Sequence, residues 1–88
     1  MRSPKAPWPW QREATMPSQQ FGRAVRRLRE ERGWSQERLA EAADMNRSYV
    51  GELERGIAMP SLQTIYKLAA ALATKPSALL ELCEEAAV

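Results

Sequence analysis

From Ser18 onward, apolar side chains return every three or four positions, and Gly, Pro, Ser and Asn interrupt them at short intervals. Phe21, Val25 and Leu28 share one helical face, and Gly33 ends that run. Ser35 is a good N-cap for a second helix with Leu39, Ala40 and Ala43 on its apolar side. A short turn at Asp44 and Met45 leads to a third helix. It opens at Asn46 or Arg47, turns Val50 and Leu53 inward and stops at Gly56. Pro60 and Ser61 precede a fourth, striped by Leu62, Ile65, Leu68, Ala69 and Leu72. Pro76 suits the first turn of a fifth, where its missing N–H costs nothing. That helix runs to about Glu84 and carries Leu79, Leu80, Leu82 and Cys83. No strand alternation or internal repeat is present. The pattern predicts a compact all-α domain of five short helices over residues 18–88.

Residues 1–17 follow no period. Pro4, Pro7, Pro9 and Pro17 break them up, with Trp8 and Trp10 between, and they read as an irregular tail; deletion of residues 1–15 is expected to leave folding intact. Arg2, Lys5 and Arg12 stand there without an apolar segment, unlike a signal peptide. Met16 stands where a second start site would fall, just before the helical pattern. Met45, Met59, Trp34 and the alanines of 69–73 read as core.

The length allows one small domain with a marginal core, so dimerisation is a natural source of added stability. Hydrophobic residues make up 44% and charged residues 27%, a globular composition. No apolar run approaches the roughly 20 residues of a membrane span. The net charge of +2 is unevenly spread. Residues 23–32 hold five Arg and two Glu, whereas residues 81–88 hold three Glu and no basic residue. A basic middle suits a polyanion, although a solvated helix face has the same composition.

Catalytic chemistry has little to work with. The chain has no histidine, and one cysteine without histidine cannot build a zinc site. There is no Gly-rich phosphate loop. Glu30 and Glu31, like Glu84 and Glu85, are adjacent on a helix and point in different directions. The reading is a binding protein and not an enzyme, with no metal, cofactor or small-molecule ligand. The lone Cys83 cannot form an internal disulfide, fits a reducing cytoplasm and reads as a small buried hydrophobe.

The informative stretch is SQERLAEAADMNRSYVGELERG, residues 35–56. Two short helices joined by about three residues, with Ala40 and Gly51 small enough for close approach, make a stiff unit. Such a unit can lay its second helix in a major groove about 12 Å wide while the first crosses the phosphates. The outward face of that second helix shows Arg47, Ser48, Tyr49 and Glu52. These side chains can donate to guanine, bond phosphate, touch a thymine methyl or accept from cytosine.

With WSQERLAEAA, RSYVGELERG and PSLQTIYKLAAAL in this order and spacing, residues 21–82 resemble the lambda-repressor and Cro-type (XRE-like) helix-turn-helix family. In size the chain looks like restriction–modification controllers and antitoxin-like autorepressors. The resemblance implies a regulator, commonly a repressor, that binds operator DNA as a two-fold dimer. It makes Gln36 a phosphate contact that braces the reading helix, and Arg47 and Ser48 the base readers. Glu52 becomes a further reading position, and Arg55 a backbone contact. Asn46 joins the DNA-binding set at the start of the reading helix. Glu52 departs from the expected pattern, as an anion facing a polyanion; it either accepts from a cytosine amine or pairs with a neighbour such as Arg55. Arg29 and Glu54 match a family ion pair across the domain.

The second and third helices face DNA, so the dimer surface is expected on the fifth, through Leu79, Leu80, Leu82 and Cys83. The rival reading is a protein-interaction adaptor that uses the same fold and never reads DNA. The pairing of Arg47 and Ser48 with a bracing Gln36 weighs against it.

Overall fold

The computed structural model describes residues 17–86, with the Glu85 and Ala86 side chains left aside; of the expected tail, residues 1–17, only Pro17 falls in this range, and it is the first residue of a helix rather than part of an irregular segment. Five helices follow in order: α1 (Pro17–Glu31), α2 (Gln36–Ala42), α3 (Arg47–Glu54), α4 (Leu62–Ala71) and α5 (Pro76–Ala86). The described residues contain no strand.

Local chemistry sets the starts of α2, α3 and α4. The Ser35 hydroxyl accepts from the Arg38 N–H at 3.0 Å, the Asn46 side-chain Oδ1 from the Ser48 N–H at 2.7 Å, and the Ser61 hydroxyl from the Thr64 N–H at 3.1 Å. Each satisfies a backbone donor that the helix cannot. Pro76 begins α5 as its first-turn position predicts.

The core gathers Val25, Leu39, Val50, Leu53, Leu68 and Leu79, all fully buried. α1 runs through its centre, packing most extensively on α5 and then on α3, while α2 packs on α3. The closest approach is at Gly22, a position the periodicity alone does not mark. A Cβ there would strike the Leu53 carbonyl oxygen and lie 2.6 Å from that of Glu54. The end of α3 thus rests directly on the backbone of α1. Gly22→Ala has no side chain to push aside, only carbonyls. It is expected to cost at least the ~1–3 kcal/mol typical of overpacking, read as a lower urea midpoint with an unchanged slope. Gly56 follows α3 in the left-handed region, φ 77°, and a Cβ there would lie 2.9 Å from Gln19 Cα. Only glycine meets both demands.

Several core expectations need correction. Of the alanines of 69–73, Ala70 and Ala73 are exposed, and Met45 is only half-buried against the core. Met59 and Leu62 are each 69% exposed, because the α3–α4 connection carries Met59 out of the core and α4 begins on the surface. Trp34 is half-buried at the core's edge, with the guanidinium carbons of Arg32 and Arg38 at 5.1 and 5.2 Å from its ring centre. Both distances are within cation–π range.

Candidate nucleic-acid interface

α2 and α3 are joined by four residues, Ala43 to Asn46. The turn between them holds Asp44 at φ 54°, in the left-handed region that Asp tolerates better than most residues. Leu39, Ala40, Val50 and Leu53 are buried on the inner sides, which locks the pair together. Gly51 is on the seam; a Cβ there would sit 3.4 Å from Arg55 Nη1 and 3.6 Å from Gln36 Oε1.

A polar groove of about 380 Å³ crosses this pair, lined by Gln36, Arg47, Ser48, Gly51, Glu52 and Arg55. Five of the seven residues singled out as DNA contacts therefore converge on one surface. Arg47, Ser48, Glu52 and Arg55 are exposed. Between them they offer two guanidinium groups, a hydroxyl and a carboxylate, enough to donate to and accept from base edges.

The other two occupy different places. Asn46 is exposed, but its side-chain Oδ1 is committed to capping α3. Tyr49 is half-buried against the core, with its hydroxyl 3.3 Å from Thr64 Oγ1, which in turn lies 2.9 Å from the Ser61 hydroxyl. Tyr49 ties α3 to α4 and does not line the groove.

Behind the groove stands the expected ion pair. Arg29 Nε and Nη2 donate to the two Glu54 carboxylate oxygens at 2.6 and 3.0 Å, and Nη1 donates to the Trp34 carbonyl at 2.7 Å. The side chains are only 11% and 3% exposed. The hydrogen bond to Glu54 raises the Arg29 pKa further above its already high value. One contact was not foreseen: Gln36 Nε2 donates to Glu54 Oε1 at 3.0 Å. A carboxylate only accepts, so this bond fixes which way the amide points and leaves its second N–H for another acceptor. The buried pair thus holds the groove's Gln36 in place. The exposed pairs Arg26–Glu30 and Arg27–Glu31 are ordinary one-turn contacts on α1 and contribute little.

The expected dimer surface is only partly available. Leu79 is fully buried and Cys83 is 8% exposed, because their four-residue spacing turns both into their own subunit's core, where α5 lies chiefly on α1 rather than on α4. Leu82 is half-buried, and Leu80 is 44% exposed. Further exposed apolar side chains lie at Ile57, Met59, Leu62 and Tyr66, on the α3–α4 connection and α4.

A pair of short helices joined by a tight turn, the second capped and polar-faced, and braced from behind by a buried ion pair, defines a helix-turn-helix protein. The helix-turn-helix family model matches residues 25–79, and the chain belongs to that family. It is 40% identical over 62 residues to the control protein C.BamHI of Bacillus amyloliquefaciens, covering 69% of this chain and 76% of that one. It is also 40% identical over 48 residues to the transcriptional regulator SutR of Escherichia coli K12; the match takes in 54% of this chain but only 27% of SutR. Among solved structures it resembles the restriction–modification controller protein C.AhdI of Aeromonas hydrophila. There the TM-score is 0.69 and the identity 47%, over 70% of this chain and 94% of that one. Among the described residues no helix is long and apolar enough to cross a membrane.

Proposed function

We propose that this chain is a sequence-specific double-stranded DNA-binding regulator of transcription, acting as a homodimer on a two-fold operator. The observation that carries the reading is the convergence of Gln36, Arg47, Ser48, Glu52 and Arg55 on one groove across α2 and α3. An adaptor protein gains nothing from that arrangement. In this reading Arg47 and Ser48 reach base edges, Glu52 accepts from a cytosine amine, and Gln36 and Arg55 hold phosphates. Residues 18–88 form the reading and pairing domain, and residues 1–17 an appendage to it. The protein binds and releases DNA without a catalytic step or cofactor, in the cytoplasm where bacterial DNA is read. The likeness to C.BamHI and C.AhdI favours a controller-type regulator over an antitoxin-like one.

Selection of bound sites from random duplex DNA tests this directly. A two-fold consensus with half-sites about 34–36 Å apart is the expected result; no enrichment at any salt concentration refutes it. On the selected site Arg47→Ala should cost about 1–3 kcal/mol and relax the preference at one position per half-site. Equal affinity of variant and parent removes Arg47 from the contact set.

A further inference from the structure

The buried network behind the α2–α3 groove has a direction. Glu54 only accepts, so Gln36 must turn its Nε2 toward that carboxylate, at 3.0 Å. The other polar atom of the amide, Oε1, then lies over Gly51, 3.6 Å from where a Cβ on that glycine would be. Arg55 Nη1 lies 3.4 Å from the same point. An acceptor and a cation therefore flank one gap in the groove, and the gap exists because residue 51 has no side chain. The ion pairs among the described residues are Arg26–Glu30, Arg27–Glu31, Arg29–Glu54 and Arg38–Glu41. They leave the exposed Arg55 without a carboxylate, so Glu52 is not its partner. A carbonyl oxygen is the wrong end of an amide to offer a phosphate and the right end to offer a guanidinium.

We propose that Gln36 is a positioning residue for Arg55: its fixed carbonyl oxygen holds the guanidinium over Gly51, in the orientation that meets an operator phosphate. The proposal rests on the DNA-binding reading above and says how one contact of that reading is made. An arginine loses much rotamer freedom when it grips a phosphate, and one already held in place loses less. Gln36 can do the holding because it is itself held. Glu54 fixes the sense of its amide, and Glu54 is fixed in turn by two donors from Arg29, which also donates to the Trp34 carbonyl. Order at the exposed Arg55 thus traces back to the buried pair. Gly51 is the third part of the device, since a methyl there would occupy the gap across which Oε1 and Nη1 face each other.

Salt dependence separates this role from a direct one. The slope of log affinity against log salt counts the cations placed on phosphates. Gln36 carries no charge, so losing only its own hydrogen bond weakens binding at an unchanged slope. Losing the Arg55 contact lowers the slope by about one for each chain bound. Binding to a selected operator duplex is measured from low to high salt for the full chain, Arg55→Met, Gln36→Met and the double variant, with thermal melts as the check on folding. Gln36→Met should flatten the slope as much as Arg55→Met does, and the double variant should flatten it no further. Gly51→Ala is the independent check. Contacts of 3.4 and 3.6 Å are ordinary packing distances, so the fold stands, yet the methyl fills the gap and the slope should fall by the same amount. Weaker binding of Gln36→Met at the parent's slope overturns the proposal, and so does an Arg55→Met variant that keeps the parent's slope. If Gln36→Met fails to fold, Gly51→Ala decides alone, and the parent's slope in that variant is the overturning result. A parent chain with no affinity for any duplex at any salt refutes the DNA-binding reading itself, and the positioning role with it.

Discussion

Glu54→Ala should destabilise the domain by about 3–5 kcal/mol, the range for removing one partner of a buried ion pair. The size follows from what is left behind. Arg29 is 11% exposed, and its Nε and Nη2 would both lose their acceptor. The guanidinium cannot escape by deprotonating, since an arginine keeps its charge even without its partner. Small domains have about 5–15 kcal/mol in total, so the variant would be unfolded in a substantial fraction of molecules or close to it. Urea denaturation reads the loss; a change below about 1 kcal/mol would mean that water reaches the pair freely. Arg29→Met combined with Glu54→Leu removes both charges at once and should recover most of the stability, as buried pairs replaced by apolar groups often do. That double variant separates the structural role from a functional one. It folds, but Gln36 has lost its anchor on Glu54, so operator affinity should stay below that of the parent.

The same network shows what the sequence could and could not reveal. Caps at Ser35, Asn46 and Ser61, glycine stops and the 3.6-residue period are local properties, so the five helices were legible. The Arg29–Glu54 pair was legible only through the family resemblance, since its partners are 25 residues apart and no period links them. Gly22 escaped notice because a glycine inside a helical run leaves no mark until its backbone neighbour is known. Tyr49 has the spacing of a reading residue, but its ring has the size and polarity to bridge α3 and α4 through Thr64, and burial decided its place. Met59 and Leu62 are apolar and in phase, yet they flank the start of α4, where the chain has already turned outward. On α5 the leucines could not be sorted between core and interface, because periodicity states which residues share a face and not what that face meets.

That sorting makes the dimer testable at one residue. Leu80→Glu places a charge at a 44% exposed position and should leave the core intact, whereas the same change at fully buried Leu79 would unfold the domain. If α5 forms the two-fold contact, the charge must be desolvated in every dimer, and it adds to an acidic end that already holds Glu81 and Glu84. The monomer–dimer equilibrium should therefore shift strongly to monomer in sedimentation at micromolar concentration. DNA binding follows from it. Specific sites are typically favoured over random DNA by about 4–10 kcal/mol, and a monomer reading one half-site keeps about half of that. Operator affinity should thus fall by ~2–5 kcal/mol, while binding to an isolated half-site stays weak and unchanged, since the α2–α3 groove is untouched. Arg47→Ala should show the opposite pattern, weakening half-site and full operator while the dimer persists. An unaltered dimer in Leu80→Glu would move the interface off α5, to the exposed side chains of α4 and the α3–α4 connection. A parent chain that stays strictly monomeric, both free and on operator DNA, would leave a two-fold operator without a reader.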